Sequence, residues 1–308
     1  MKAAIDIGTN TVLLLIGETD QGKVIVHHEE QRMPRLGKGV DADKTLHSES
    51  IARVIAVLKE YKQIIESEYP LVDDVTVTAT SAVRDASNRD AFIEQVKQET
   101  GYNIILVSGD NEARYTFQGA ISVIDIETNQ DVFVLDIGGG STELALGRKG
   151  DLLEGHSYDM GCVRFSERFL TQDPPFQEQI QECREAIREL LESKKFKTKK
   201  GVKAVGVAGT LTSLAAIDLQ VEDYDAEKIN MHVIKREKLK KGIELFSLHT
   251  HEQLLEISPT ILKGREDIFL AGLLILEEFL NFYNLDEIMV STGGIRHGVL
   301  SSLFATAD

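Results

Sequence analysis

Apolar residues fill the stretch from Lys2 to Ile7 except at Asp6, pause over Gly8-Thr9-Asn10, and resume from Val12 to Ile16, which reads as strand, turn, strand. The same syntax returns 130 residues later, where Val132 to Ile137 is apolar except at Asp136, Gly138-Gly139-Gly140-Ser141 interrupts, and Thr142 to Gly147 continues. The chain therefore carries an internal duplication. Between the copies, Ile51, Val54, Ile55, Leu58 and Ile65 at helical spacing predict an amphipathic helix over 48–66, with Ser48 as its cap. Residues 75–79 and 104–107 are β-rich, 88–100 is helical with Gly101 placed to end it, and 111–121 reads as a connecting helix. After the second hairpin come helices over 163–170 and 176–193, then a strand over 203–208 that runs through Gly209-Thr210 into another helix. A helical stretch over 235–248, a helix over 265–283, a strand over 287–290 and the turn Ser291-Thr292-Gly293-Gly294 precede a short final helix. Both halves are thus expected to be α/β. The boundary is expected at 121/122, giving an N-terminal domain 1–121 and a C-terminal domain 122–308 whose last helix is able to pack back on the first.

Composition agrees with two folded lobes. A chain of 308 residues exceeds what one core usually supports, and 42% hydrophobic with 27% charged residues leaves no disordered class to invoke. Two cysteines, Cys162 and Cys183, lack metal spacing and point to a reducing compartment, with cytoplasm as the expectation. The longest apolar stretch, Ile268 to Leu276, is too short to span a membrane. A net charge of −16 argues against nucleic acid as partner, so an anionic ligand needs local cations. Two basic runs, 194–200 and 235–241, read first as solvated surface and second as a track for a polyanion.

The glycines at 138–140 suggest a turn with positive φ that brings N–H groups against an anion, phosphate being the natural guest. Glycines also serve plain hairpins, and the weight comes from the repetition of Gly8-Thr9-Asn10 at Gly138-Gly139-Gly140-Ser141. Asp6 and Asp136 end apolar strands, where a carboxylate is costly unless it meets a cation or several donors. Mg²⁺, with its preference for oxygen and water, answers that need; the competing reading is an Asp that caps its own turn. Gly209-Thr210 opens a helix whose first N–H groups favour anions, unless Thr210 is only the cap. Arg84, after the 75–79 strand, either clamps phosphate or pairs with Asp85 or Asp90. Arg296 either reaches a ligand or rides the helix surface, and Cys162 reads as a core residue. Local pattern does not separate Glu112 from any other helix-start carboxylate.

Asp6 to Asn10, Thr80 to Arg84, Ser108 to Arg114, Asp136 to Glu143, Met160-Gly161-Cys162 and Gly293 to Leu300 together resemble the exopolyphosphatase/guanosine pentaphosphate phosphohydrolase family, in the family's order and over nearly the whole chain. The resemblance implies two ribonuclease-H-like domains of the actin-like ATPase (acetate/sugar kinase–Hsp70–actin) fold flanking a cleft. It implies hydrolysis of a terminal phosphoanhydride in inorganic polyphosphate or guanosine pentaphosphate, with Mg²⁺ or another divalent cation. Glu112, before Ala113-Arg114, matches the catalytic glutamate. Asp136 and Glu143 match metal and water positions, Asp6 joins them as metal ligand, Arg84 contacts phosphate, and Gly138 to Ser141 cradle it. Longer members add a helical region related to His-Asp phosphohydrolases; this chain resembles the short form, and a homodimer is left open. The rival readings are an ATP-dependent small-molecule kinase, which needs an acceptor and an adenine pocket, and a non-enzymatic actin-like nucleotide switch.

Overall fold

The structure, a computed structural model, describes residues 1–20, 23–125, 130–148, 150–198 and 201–305. By contacts the chain divides into two units, Met1–Val123 with Gly293–Asp308, and Ile124–Thr292.

The first unit opens with β1 (Lys2–Ile7), β2 (Val12–Asp20) and β3 (Lys23–Arg32). Then come α1 (Val40–Asp43), α2 (Ser48–Glu68), β4 (Asp74–Ala79), α3 (Ser81–Asp85), α4 (Arg89–Thr100), β5 (Ile104–Leu106) and α5 (Gly109–Ser122). Its sheet has the order β3-β2-β1-β4-β5, with β1, β2 and β3 antiparallel and β4 and β5 parallel to β1. Ile51, Val54, Ile55, Leu58 and Ile65 of α2 are buried with Ile5, Ile7, Leu14 and Val77, the core that the spacing anticipates. Ser48 is the first residue of α2 and His47 the cap, so the helix starts without the expected side-chain cap bond. Gly101 caps α4 with φ 80, in the left-handed conformation that glycine tolerates.

The second unit runs β6 (Asp131–Ile137), β7 (Thr142–Arg148), β8 (Asp151–Tyr158), α6 (Cys162–Phe169), α7 (Gln177–Ser193), β9 (Lys203–Val207) and α8 (Ala208–Asp218). It continues with α9 (Ala226–Ile229), β10 (Val233–Lys235), α10 (Arg236–Leu248), α11 (His251–Ile257), α12 (Phe269–Phe282) and β11 (Glu287–Val290). Its sheet order is β10-β11-β9-β6-β7-β8. Read from β8, the run β8-β7-β6-β9-β11 repeats β3-β2-β1-β4-β5, so the duplication seen in the hairpins extends to two whole sheets. The apolar α12 is buried along its length against Phe133, Leu211, Leu214 and Phe246, which explains its unbroken hydrophobic run.

The closing helix α13 (Ile295–Ala305) groups by contacts with the first unit, the packing allowed for the last helix of the expected domain 122–308. It belongs to the first unit, because Ile295, Val299 and Leu300 share a core with Ala4 and Leu15. A side-chain carbon at Gly298 would overlap the carbonyl of Tyr115 in α5, so glycine permits this close packing. Arg296 donates to the Leu14 carbonyl at 2.7 Å and lies 3.4 Å from Glu29, so it ties α13 to the sheet. No helix among the described residues is long and apolar enough to cross a membrane.

Candidate active site

The candidate residues gather in each unit at the carboxyl ends of the parallel strands, where α/β folds collect ligands. In the first unit Asp6 ends β1, Arg84 follows β4 on α3, and Glu112 follows β5 on α5. Ser108 caps α5, its Oγ accepting from Asn111 N at 3.4 Å, and this fixes the first turn that carries Glu112. Glu112 is 7% exposed, and its Oε2 accepts from Arg84 Nη1 at 2.9 Å. Arg84 Nη1 also donates to the Val107 carbonyl at 3.1 Å. Arg84 therefore meets the candidate base itself. Asp85 lies 4.0 Å away, at the limit of an ion pair, and the pair with Asp90 does not form; Asp90 lies against Arg89.

Asp6 Oδ1 accepts from Thr78 Oγ1 at 2.9 Å, across the β1–β4 ladder in which the two residues are partners. The turn after it closes with Gly8 N donating to Thr11 O at 2.9 Å, and Thr9 Oγ1 shares a 2.9 Å hydrogen bond with Ser81 Oγ. Asn10 is 7% exposed, and neither its Oδ1 nor its Nδ2 has a partner among the described residues. Leaving such groups unmet costs about 1–3 kcal/mol, so this amide has hydrogen-bonding capacity left for a ligand or water.

In the second unit the equivalent turn closes with Gly138 N donating to Ser141 O at 3.0 Å. None of Gly138, Gly139 and Gly140 has positive φ, which corrects the expected backbone reason for glycine. The reason is proximity: a side-chain carbon on Gly138 would fall 2.9 Å from the Ser141 carbonyl, and one on Gly161 would overlap the Gly139 carbonyl. That second approach lets the start of α6 tie the turn back. Cys162 N donates to Gly138 O at 2.9 Å, Val163 N to Gly139 O at 2.9 Å, and Arg164 Nε to Gly140 O at 2.6 Å. In a trans peptide the following N–H points opposite to the carbonyl, so these bonds turn the N–H groups of Gly139, Gly140 and Ser141 away from α6 as a set.

Asp136 and Glu143 are direct partners in the β6–β7 ladder, 9% and 2% exposed. Partners across a ladder share one face of the sheet, so two buried carboxylates stand side by side. Their oxygens are the hard donors that Mg²⁺ takes. Among the described residues no group of three or more His, Cys, Asp and Glu side chains gathers as a metal cage.

Thr210 does not cap α8. Val207 holds that position with no side-chain cap bond, and the helix begins on Ala208 at φ 67, a left-handed conformation that strains a residue with a side chain. Thr210 lies in the first turn, 4% exposed and packed where any side chain at Gly272 would meet it.

Nothing in the sequence marks Arg265, which is expected at the start of a helix. That helix, α12, starts at Phe269, and Arg265 lies in the preceding turn with its guanidinium against Gly209, where a side-chain carbon would overlap it. Burial lowers its pKa, and the groups acting on its charge are Cys162 and Tyr224. Burial pushes the Cys162 thiol up to about 11, although Arg265 pulls the other way, so this neighbour is not an anion at neutral pH. A desolvated guanidinium beside an uncapped helix start is a strong anion-binding element. The only local signal was a glycine in the first turn of a helix.

The basic runs divide. Lys194 donates to the Ser157 carbonyl at 2.9 Å, Lys195 approaches Glu192 at 3.3 Å, and Lys197 is exposed, while Lys199 and Lys200 lie outside the described residues. In the second run Lys238 pairs with Asp218 at 2.9 Å and Arg236 donates to the Leu285 carbonyl.

Two sheets in one repeated order, each with an acidic strand end and a phosphate-type turn, define the actin-like ATPase fold class. The chain belongs to the Ppx/GppA phosphatase family, whose model matches residues 15–307. It is 32% identical to Exopolyphosphatase 2 of Mycobacterium tuberculosis, over 98% of each chain. It is also 32% identical to the Bifunctional 3-dehydroquinate synthase/phosphatase of Fusobacterium nucleatum, matching 97% of this chain but only 46% of that protein. The Aquifex aeolicus Ppx/GppA crystal structure superposes with a TM-score of 0.83 at 32% identity, covering 99% of this chain and 98% of that one.

Proposed function

We propose that this protein is an exopolyphosphatase, hydrolysing the terminal phosphoanhydride of inorganic polyphosphate to orthophosphate. The observation that carries the reading is the buried Asp136–Glu143 pair beside a turn whose carbonyls are all tied back, in a member of a phosphatase family. Two facing carboxylates and an anion cradle together suit a phosphate with its counter-cation better than either ligand alone.

Glu112 acts as general base and orients water for in-line attack on the terminal phosphorus. Arg84 holds that carboxylate in direction and contributes positive charge to the phosphoryl oxygens. In the second unit the N–H donors of Gly139, Gly140 and Ser141, on the turn that Gly138 closes, and those of Gly209 and Thr210 bind phosphate, with Arg265 adding charge beside Gly209; in the first, Thr9 and Asn10 do so on the turn that Gly8 closes. Asp136 and Glu143 in the second unit, and Asp6 in the first, would be the residues that hold Mg²⁺. The ion, when bound, neutralises charge on phosphate oxygens. Glu143 also holds water in place.

Guanosine pentaphosphate is the second reading, since it offers the same terminal bond. Polyphosphate is favoured because the match to Exopolyphosphatase 2 covers 98% of that protein, whereas the match to the guanosine-5'-triphosphate,3'-diphosphate pyrophosphatase of Pseudoalteromonas translucida covers 59% of it. Orthophosphate release should be measured from short polyphosphate, long polyphosphate, guanosine pentaphosphate and ATP, with and without Mg²⁺. Mg²⁺-dependent release highest on polyphosphate supports the reading; preference for guanosine pentaphosphate replaces it with the second, and release from neither rejects both.

A further inference from the structure

Glu143 is gripped from outside the phosphate turn. In the β7–β8 ladder it stands opposite Ser157, and Ser157 Oγ donates to Glu143 Oε1 at 2.6 Å. That length belongs to the strong, charge-assisted class of O–H···O⁻ bonds. Ser157 is itself braced, because Lys194 Nζ donates to its carbonyl at 2.9 Å. Lys194 is fixed in turn, its own carbonyl accepting from Tyr158 Oη at 2.6 Å and its ammonium lying 5.7 Å from the Tyr158 ring centroid. The first lysine of the basic run therefore clamps the strand that carries Ser157.

The last torsion of a glutamate is broad, so a carboxylate held only by its stem swings its oxygens through a wide arc. A metal or water ligand must present one lone pair in a fixed direction and must be ionised. A hydroxyl that donates to one oxygen from a rigid neighbouring strand meets both demands, as donors behind metal ligands do generally. We infer that Ser157, braced by Lys194, is a positioning residue for Glu143, acting through that carboxylate and touching neither substrate nor ion. The inference rests on the proposed role of Glu143 as metal and water ligand.

The test uses the full chain, with Ser157→Ala, Ser157→Thr, Glu143→Gln and the double variant Ser157→Ala/Glu143→Gln. Each is read by turnover on short polyphosphate and by calorimetric titration of the resting protein with Mg²⁺ alone. Ser157→Ala is expected to lower Mg²⁺ affinity or kcat by about 10–100-fold with KM little changed, the usual cost of losing a donor behind a ligand. Ser157→Thr, which keeps the hydroxyl, should recover most of the loss. In the Glu143→Gln background the serine change should be nearly silent, because both act through one carboxylate. Equal losses in the two backgrounds would assign Ser157 to strand stability and overturn the inference. Loss in Glu143→Gln with a silent Ser157→Ala overturns the inference alone, whereas a silent Glu143→Gln overturns the reading of Glu143 and the inference with it.

Discussion

The two hairpins place an aspartate at the same point of the same ladder and surround it differently. Asp6 has Leu13 opposite it and Thr78 beside it, and the threonine hydroxyl meets its carboxylate at 2.9 Å. Asp136 has Glu143 opposite and Val207 beside. In the first copy a buried charge is answered inside the fold by a neutral donor. In the second, two acids face one another, an arrangement that costs a sheet about 0.2–1 kcal/mol and that a cation reverses, although a neutral donor, Ser157, also meets one of them, Glu143, at 2.6 Å. On the proposed function the two copies divide the labour: the second carries the stronger demand for metal, and the first carries the proposed base on the helix after its last strand.

The largest effect should separate the two aspartates. Asp136→Asn is expected to cost at least about 10²-fold in kcat, the scale of losing several kcal/mol of charge stabilisation, read as orthophosphate release. The same change should raise the stability of the protein in chelator by about 0.2–1 kcal/mol, since it removes one of two facing charges; a thermal melt reads this. Asp6→Asn should cost only about tenfold, because the amide oxygen still accepts from Thr78, and in chelator it should destabilise by about 1 kcal/mol. Equal kinetic losses, or stability changes of one sign, would erase the distinction.

A separate effect distinguishes the units in acid. Burial, helped by Arg296, lowers the pKa of His297 in α13 from 6.5 to about 3. The unfolded chain takes up that proton near pH 6.5 and the folded one does not. Stability in the unit held by α13 should therefore fall progressively between about pH 6.5 and about pH 3. Urea midpoints against pH should show a shallower decline for His297→Gln than for the natural chain over that range. Parallel curves would remove His297 from the account.

The repeated hairpin was legible because its signal is local: an apolar run, one acid, a turn, and another run. The helices with a clean apolar stripe, α2 and α7, were legible for the same reason. The strands β3, β8 and β10 were missed. The first two are half-exposed and polar along much of their length, and β10 has three residues, so pairing defines them and composition does not. The placement of α13 depends on close approach to α5, hundreds of positions from the strand it also covers. Glu112 entered only through resemblance. What the geometry adds is Arg84, 28 residues away, and no spacing rule reaches that far. Arg265 and Ser157 were silent because each owes its interest to a partner distant in sequence, Gly209 for one and Glu143 for the other.

The central claim is hydrolysis with Glu112 as base, and it is tested most directly by orthophosphate release from short-chain polyphosphate with Mg²⁺ and no acceptor, comparing the natural chain with Glu112→Gln. Release by the natural chain is expected, with a fall of about 10²–10⁴-fold in kcat for the variant and KM largely kept. Near-normal turnover in Glu112→Gln, or a requirement for an acceptor in the natural chain, would contradict it.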